Sequence, residues 1–398
     1  LATAALLVAM AAMLSLAPSA GAARPARKPK VVAASVGQRG RDLILTVRTA
    51  TPMALAKLQS RPDTRRASAA YLCFGFAAAK GAGGPGDNGA DETRICLGGP
   101  KARTRAGLVT VDADGKPQTR SSVVATLKRP TPEKLVLSVV AGPTHPTGLR
   151  PGRYSWQVLA AGGGCEVRHA CAVTYPPAGP EPFRLRPVRA VGCTGGDPEL
   201  VSSAATERPL VALTFDDGPS EYTDRYLDVL HEKGVPATFF EVGQEMPGRE
   251  ATMRRILAEG DELGDHTMNH VEYPGYSQIA GAADRIEHYT GFRPCLFRPP
   301  GGAVNSGVVA TAGSLGMKTI TWDVDPRDWS LPGTSEIYSN IVNNARPGSI
   351  ILMHDGGGPR DETLAALPRI IDTLRAKGYG FETVSALLGD EILYRPYG

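Results

Sequence analysis

The sequence predicts two domains of different class, an all-β, sandwich-like domain over 41–190 and an α/β domain over 208–398 built on a parallel sheet or barrel. Three observations lead there. Between 41 and 190 the apolar runs are short and separated by Gly, Pro and Asp turns. From about 208 strand-like runs alternate with segments of helical period. The charge divides at the same place. Lys and Arg outnumber Asp and Glu by 27 to 12 over 1–200 and are outnumbered by 17 to 28 over 201–398, so the net +4 averages two opposite fields. With 398 residues, 42% hydrophobic and 21% charged, the chain is too long for one small domain and too apolar for global disorder.

Residues 1–17 form a predominantly apolar run, and the small residues Pro18–Ala23 and a basic cluster follow. This is the pattern of a secretory signal peptide over 1–23, with a membrane anchor as the alternative. No later stretch is apolar for 18 residues, so no stable span is expected after cleavage. The predicted location is extracellular, in association with a cell wall. Residues 24–40, rich in Pro, Lys and Arg, read as a flexible basic segment. Six cysteines suit an oxidising compartment and allow fifteen pairings. Our working set is Cys73–Cys96, Cys165–Cys171 and Cys193–Cys295. The spacing of Cys165, His169 and Cys171 matches no usual zinc pair.

Strands are expected at 42–47, 121–127, 135–140 and 154–159, with a turn at 112–116. The stretch 81–86 formally fits G-x-G-x-x-G but contains Pro and precedes polar residues, so it reads as a loop. Residues 191–207 are expected to link the domains. Beyond them, strands are expected at 211–215, 237–240, 295–297, 319–322 and 350–353, and helices at 222–233, 251–259 and 362–377.

Five polar clusters follow these strands in order. Asp216 and Asp217 end the first and, pointing different ways in extended chain, can hold different roles. His266 and His270 stand at i and i+4, which on a helix puts both on one face able to chelate an ion. One carboxylate with two His makes a three-ligand site with room for water. Arg298 precedes a rigid Pro-Pro-Gly-Gly turn, Asp325, Asp328 and Trp329 form an acidic, aromatic cluster, and His354 ends a strand. Each cluster alone is compatible with a structural role. Their ordered placement after strands matches the catalytic face of an α/β barrel.

These motifs, Thr214-Phe-Asp-Asp217, His266-Thr-Met-Asn-His270, Arg298-Pro-Pro-Gly301, Asp325-Pro-Arg-Asp-Trp329 and Leu352-Met-His354, resemble those of the polysaccharide deacetylases, carbohydrate esterase family 4 with its NodB-homology domain. The resemblance covers 208–395 and says nothing of 24–200. It implies a distorted (β/α) barrel and a divalent metal held by Asp217, His266 and His270, zinc first, with cobalt or nickel as other occupants. It implies Asp216 as general base, kept ionised by Arg298, and His354 as general acid, kept cationic and oriented by Asp325. Trp329 and Leu352 would line the acetyl slot, and Gly301 stands where the family usually carries an aromatic.

The expected activity is metal-dependent hydrolysis of N-acetyl groups on a GlcNAc-containing polymer, peptidoglycan first and chitin or its oligomers next. An O-acetyl esterase acting on xylan and a wall-binding protein with an inactive barrel are the alternatives. No G-x-S-x-G elbow or H-E-x-x-H occurs, which disfavours a serine hydrolase and the commonest zinc protease. The basic first half would ordinarily suggest nucleic acid. With an exported chain, anionic cell-wall polymers are the expected partner and no nucleic acid is.

Overall fold

The computed structural model describes residues 29–52, 71–78, 92–97, 105–111, 117–140, 149, 151–161, 173–195 and 198–397. The signal-peptide reading, the 81–86 and 112–116 turns and the Cys165–Cys171 pair lie outside the described residues.

The first region holds strands β1 (Val31–Arg39), β2 (Asp42–Thr49), β3 (Tyr71–Ala78), β4 (Glu92–Leu97), β5 (Arg105–Val111), β6 (Pro117–Val124), β7 (Thr126–Thr131), β8 (Lys134–Val140), β9 (Gly152–Ala161), β10 (Val173–Tyr175) and β11 (Glu181–Leu185). They form two antiparallel sheets, a four-stranded one in the order β1-β2-β8-β7 and a seven-stranded one in the order β10-β9-β3-β4-β5-β6, with β11 beside β9. Alternation decides what each sheet buries. Leu43, Leu45 and Val47 of β2 and Leu135, Leu137 and Val139 of β8 point inward, and they share one core with Phe74, Phe76, Ile95, Trp156 and Val158 of the second sheet. The Cys73–Cys96 disulfide joins directly opposed residues of β3 and β4.

Two expectations are corrected here. Val31–Arg39, read as part of a flexible basic segment, is a strand paired along its length with β2 through the turn at Gly40. Its small and β-branched residues (Val31, Val32, Ala33, Ala34, Val36) suit an edge strand, and the flanking charge masked them. The 191–207 segment is no free linker. It completes β12 (Val188–Cys193) and supplies β13 (Leu200–Val201), and both join the second domain. A disulfide from Cys193 to Cys295 ties β12 to that domain, as the working pairing had it.

The second domain alternates strand and helix as expected. In chain order it holds β14 (Leu210–Gly218), α1 (Thr223–Lys233), β15 (Thr238–Glu241), α2 (Glu250–Glu259), β16 (Glu262–Asp265), α3 (Tyr276–Thr290), β17 (Leu296–Phe297), α4 (Ser306–Ser314), β18 (Lys318–Ile320), α5 (Thr334–Asn344), β19 (Ile350–His354), α6 (Asp361–Ala376), β20 (Gly380–Phe381), α7 (Val384–Leu388) and β21 (Ile392–Pro396). The expected helix at 222–233 stops where Gly234 takes a left-handed conformation that an L side chain resists.

An eight-stranded, all-parallel sheet runs β13-β18-β17-β16-β15-β14-β19, with β20 also beside β14. It curls back on itself. Val324, just past β18, bridges Ile351 of β19, and Leu352 N donates to Val324 O at 2.9 Å. Helices cover the outside, packed through a core that includes Phe215, Tyr226 and Phe239, with the Phe215 and Phe239 rings 5.1 Å apart. Polar residues ending these strands therefore gather at one rim. Among the described residues no helix is long and apolar enough to cross a membrane.

Candidate metal and acid–base centre

The end of β14 is not regular. The β14–β15 register shifts between Asp216 and Gly218, and Asp217 adopts φ 73°. This bulge, rather than strand alternation, lets both carboxylates face one site: Asp216 Oδ2 lies 3.8 Å and Asp217 Oδ1 3.4 Å from His266 Nε2. The backbone strain is tolerated because the neighbouring chain packs tightly. A Cβ on Gly356, just past His354, would overlap the Asp217 carbonyl.

His266 and His270 do come together, with ring centroids 5.1 Å apart, but not on a helix. They lie in the loop after β16, where left-handed turns at Thr267 (φ 70°) and His270 (φ 54°) bring the second ring back. No shared helical face pairs them, contrary to what the i, i+4 spacing predicts. The spacing met because a tight loop, like a helical turn, returns the chain after four residues.

Nε2 of His270 is 3.0 Å from Asp217 Oδ1, and the ligating atoms of Asp217, His266 and His270 all lie within 4.8 Å of one another. His266 Nδ1 is 2.7 Å from Arg298 O. A carbonyl only accepts, so Nδ1 carries the proton and the Nε2 lone pair faces the cluster. Asp217 Oδ1 is buried and receives no hydrogen bond. Burial acts to raise the Asp217 carboxyl, yet the two imidazoles beside it overcome this and hold it well below the usual range. Two imidazole nitrogens and a buried carboxylate oxygen converging on one point form a donor set that suits a divalent cation of nitrogen–oxygen preference.

On one side stands the Asp216–Arg298 pair. Arg298 is fully buried, its Nη1 donates to Asp216 Oδ1 at 2.7 Å and Thr214 Oγ1 at 2.8 Å, and Nη2 donates to Thr321 O at 3.2 Å. Its guanidinium lies 4.1 Å from the Phe240 ring centroid, which keeps it aimed at Asp216. On the other side is His354, the register partner of Asp216 on β19.

The residue that holds His354 is Asp328, not Asp325. Asp328 Oδ1 is 2.7 Å from His354 Nδ1, and Oδ2 accepts from His354 N at 2.9 Å and Thr363 Oγ1 at 3.0 Å. Asp325 is exposed and accepts from the Arg327 amide, capping the turn. Two acids three residues apart are equivalent in sequence, and only the left-handed turn at Arg327 (φ 56°) tips the second inward. Burial acts to lower His354, but the Asp328 hydrogen bond and charge, with Asp216 and Asp217 beyond, raise it above the ordinary histidine range.

The remaining expected residues sit around this centre. Leu352, buried, lies two residues before His354 on the same face of β19, while Trp329 is half exposed with Arg327 stacked 5.2 Å from its centroid. Gly301 occupies a tight turn at φ 61°, where a side chain is strained and a Cβ would come 3.1 Å from Glu272 Oε1. Sequence reasoning missed the buried acids behind the site. Glu241 and Asp355 are both fully buried and close to Gly218, and burial raises the first well above its usual range and the second to about 7. Asp355 accepts from Thr223 Oγ1 at 2.5 Å, tying the start of α1 to the loop after β19.

The model of a family described as polysaccharide deacetylase matches residues 203–320. A peptidoglycan-N-acetylglucosamine deacetylase of Bacillus cereus is 42% identical over 187 residues, covering 45% of this chain and 88% of that protein. The chain belongs to the polysaccharide deacetylase family. As a member it is a carbohydrate deacetylase, a hydrolase acting on carbon–nitrogen bonds other than peptide bonds. A chitooligosaccharide deacetylase of Sinorhizobium fredii is 38% identical over 197 residues, covering 45% of this chain and 92% of that one. A solved structure of a peptidoglycan N-acetylglucosamine deacetylase, 32% identical, covers 48% of this chain and 92% of that chain with a TM-score of 0.46.

Proposed function

We propose that this polysaccharide deacetylase is a secreted, metal-dependent enzyme that removes N-acetyl groups from a GlcNAc-containing polymer, peptidoglycan first and chitin or its oligomers next. The observation that carries the reading is the Asp217–His266–His270 cluster flanked by an Arg-held carboxylate and an Asp-held imidazole. The names of the relatives from Bacillus cereus and Sinorhizobium fredii support the GlcNAc polymers as substrate. A divalent cation bound there, zinc by preference, supplies Lewis-acid polarisation of the acyl oxygen and a lowered water pKa.

The chain's own residues do the rest. Asp216, held in place by the Arg298 guanidinium, accepts the proton of the attacking water as its oxygen bonds to the acyl carbon. His354, kept cationic by Asp328, delivers a proton to the amide nitrogen as the C–N bond breaks, giving acetate and a free amine. Adjacent strands lie about 4.8 Å apart, so base and acid flank a single acyl group. Leu352 and Trp329 line the slot for the acetyl methyl. The basic first domain holds the enzyme to anionic wall polymers, so salt should weaken that association.

The test is acetate release from a panel of chitooligosaccharides, peptidoglycan and acetylxylan. Release from the GlcNAc substrates, abolished by a chelator and restored by zinc or cobalt, is expected. Activity that survives Asp217→Ala and metal removal refutes the mechanism.

A further inference from the structure

Strain and exposure concentrate in the same place. Asp217, Thr267, His270, Tyr273, Arg327 and Leu331 are the non-glycine residues with left-handed φ among the described residues; Asp217 lies in the last residues of β14, and the other five lie beyond the carboxyl ends of β16 and β18. Four large hydrophobic side chains stand exposed in two of these segments: Tyr273 and Tyr276 after β16, and Trp329 and Leu331 after β18. The other exposed ones, Val32, Leu200, Leu393 and Tyr397, are scattered.

The Tyr273 segment is fixed rather than loose. Met268 N donates to Gln278 O at 2.8 Å, Asn269 N to Gln278 Oε1 at 3.0 Å, and Pro274 is buried. Tyr273 is nevertheless 58% exposed, at φ 48°, a conformation a bulky residue adopts only at a cost. A pinned, strained backbone that presents two aromatic rings to solvent gains nothing in core packing.

Its position gives the rings a task. Tyr273 is three residues from His270, so their Cα atoms are at most about 11 Å apart. The adjacent Glu272 reaches the Gly301 turn, where no side chain stands. The wall beside the reaction centre is therefore built from the 271–276 segment.

We propose that Tyr273 and Tyr276 form a sugar-binding subsite in which the apolar face of a pyranose ring next to the acetylated one stacks on the tyrosine rings, with Glu272 accepting from a sugar hydroxyl. The subsite selects an extended polymer over a small acyl substrate. This rests on the deacetylase reading above.

The test compares Tyr273→Ala, Tyr273→Phe, Tyr276→Ala and the remote control Tyr397→Ala on an N-acetylglucosamine tetramer and on 4-nitrophenyl acetate, which carries no sugar ring. Tyr273→Ala should raise the tetramer KM about tenfold with kcat little changed. Tyr273→Phe and Tyr397→Ala should resemble the parent, and the ester rates should not move. An unchanged tetramer KM in both Tyr273→Ala and Tyr276→Ala, or an equal loss on both substrates, overturns the subsite. A parent enzyme that releases no acetate overturns the functional reading instead. Calorimetric titration of the tetramer then decides the subsite, weaker binding to Tyr273→Ala supporting it and equal affinity overturning it.

Discussion

Replacing Asp328 by Asn should separate the two acids of the Asp325–Trp329 segment. Asp328 is fully buried, while the His354 side chain is 12% exposed, so water screens their 2.7 Å contact little. Hydrogen bonds to charged groups contribute about 1.5–3 kcal/mol. At 1.36 kcal/mol per tenfold, losing the charge should weaken proton binding at His354 by about 10–100-fold and so lower its pKa. Asn still accepts from the His354 amide through its oxygen, so the turn should persist.

The sign follows from the role. A general acid works while protonated, so kcat/KM falls as pH rises through the raised His354 pKa. In Asp328→Asn that fall should move to lower pH, with about a 10–100-fold loss on the alkaline side. The pair's contribution to stability is fully present below the unfolded histidine value of about 6.5 and is lost as pH rises through the folded one. Asp325→Asn, whose oxygen can still accept from the Arg327 amide at an exposed turn away from His354, should leave the profile in place. The assay is acetate release against pH for the parent and both variants. An alkaline limb that stays put in Asp328→Asn, or moves equally in Asp325→Asn, refutes the assignment.

Three further outcomes are expected. Zinc titrated calorimetrically should bind the parent at one tight site, and His270→Ala should lose most of that affinity, whatever the activity assay shows. Gly301→Ala should lose about 1–2 kcal/mol because φ 61° penalises any Cβ, read as a fall in Tm with an unchanged fold by circular dichroism. Asp261 is pushed by burial to about 7 while its Oδ1 accepts from Ala237 N. A raised folded pKa favours the native state below the unfolded value of about 3.9 and loses that advantage as pH climbs to about 7. The parent should therefore lose Tm between pH 4 and 7 more steeply than Asp261→Asn; parallel slopes count against it.

Legibility differed from element to element for physical reasons. The strands at 211–215, 237–240 and 350–353 were legible because parallel strands buried on both faces read as continuous apolar runs. Strand β16, Glu262-Leu-Gly-Asp265, was not, because its ends are acids. Its buried acids are satisfied by one distant and one local partner: Ser385 donates to Glu262, and Thr267 N, two residues on, donates to Asp265 Oδ1 at 2.8 Å. The edge strand β1 hid behind its flanking charge. Tyr273 and Tyr276 carried no signal, since an aromatic in a polar stretch looks the same whether it is buried or presented.

The residue types and their order carry the resemblance that implies the proposed chemistry: two acids, two histidines, an arginine and a last histidine, each after a strand. The residue types suit such chemistry, because an ion needs lone pairs and a proton transfer needs groups that titrate. Which atoms meet was settled in three dimensions. The bulge at Asp217 turns two carboxylates to one side, a loop rather than a helix pairs the histidines, and a left-handed turn chooses Asp328 over Asp325. Each is a backbone conformation that local propensity disfavours, held by packing between segments far apart in the chain.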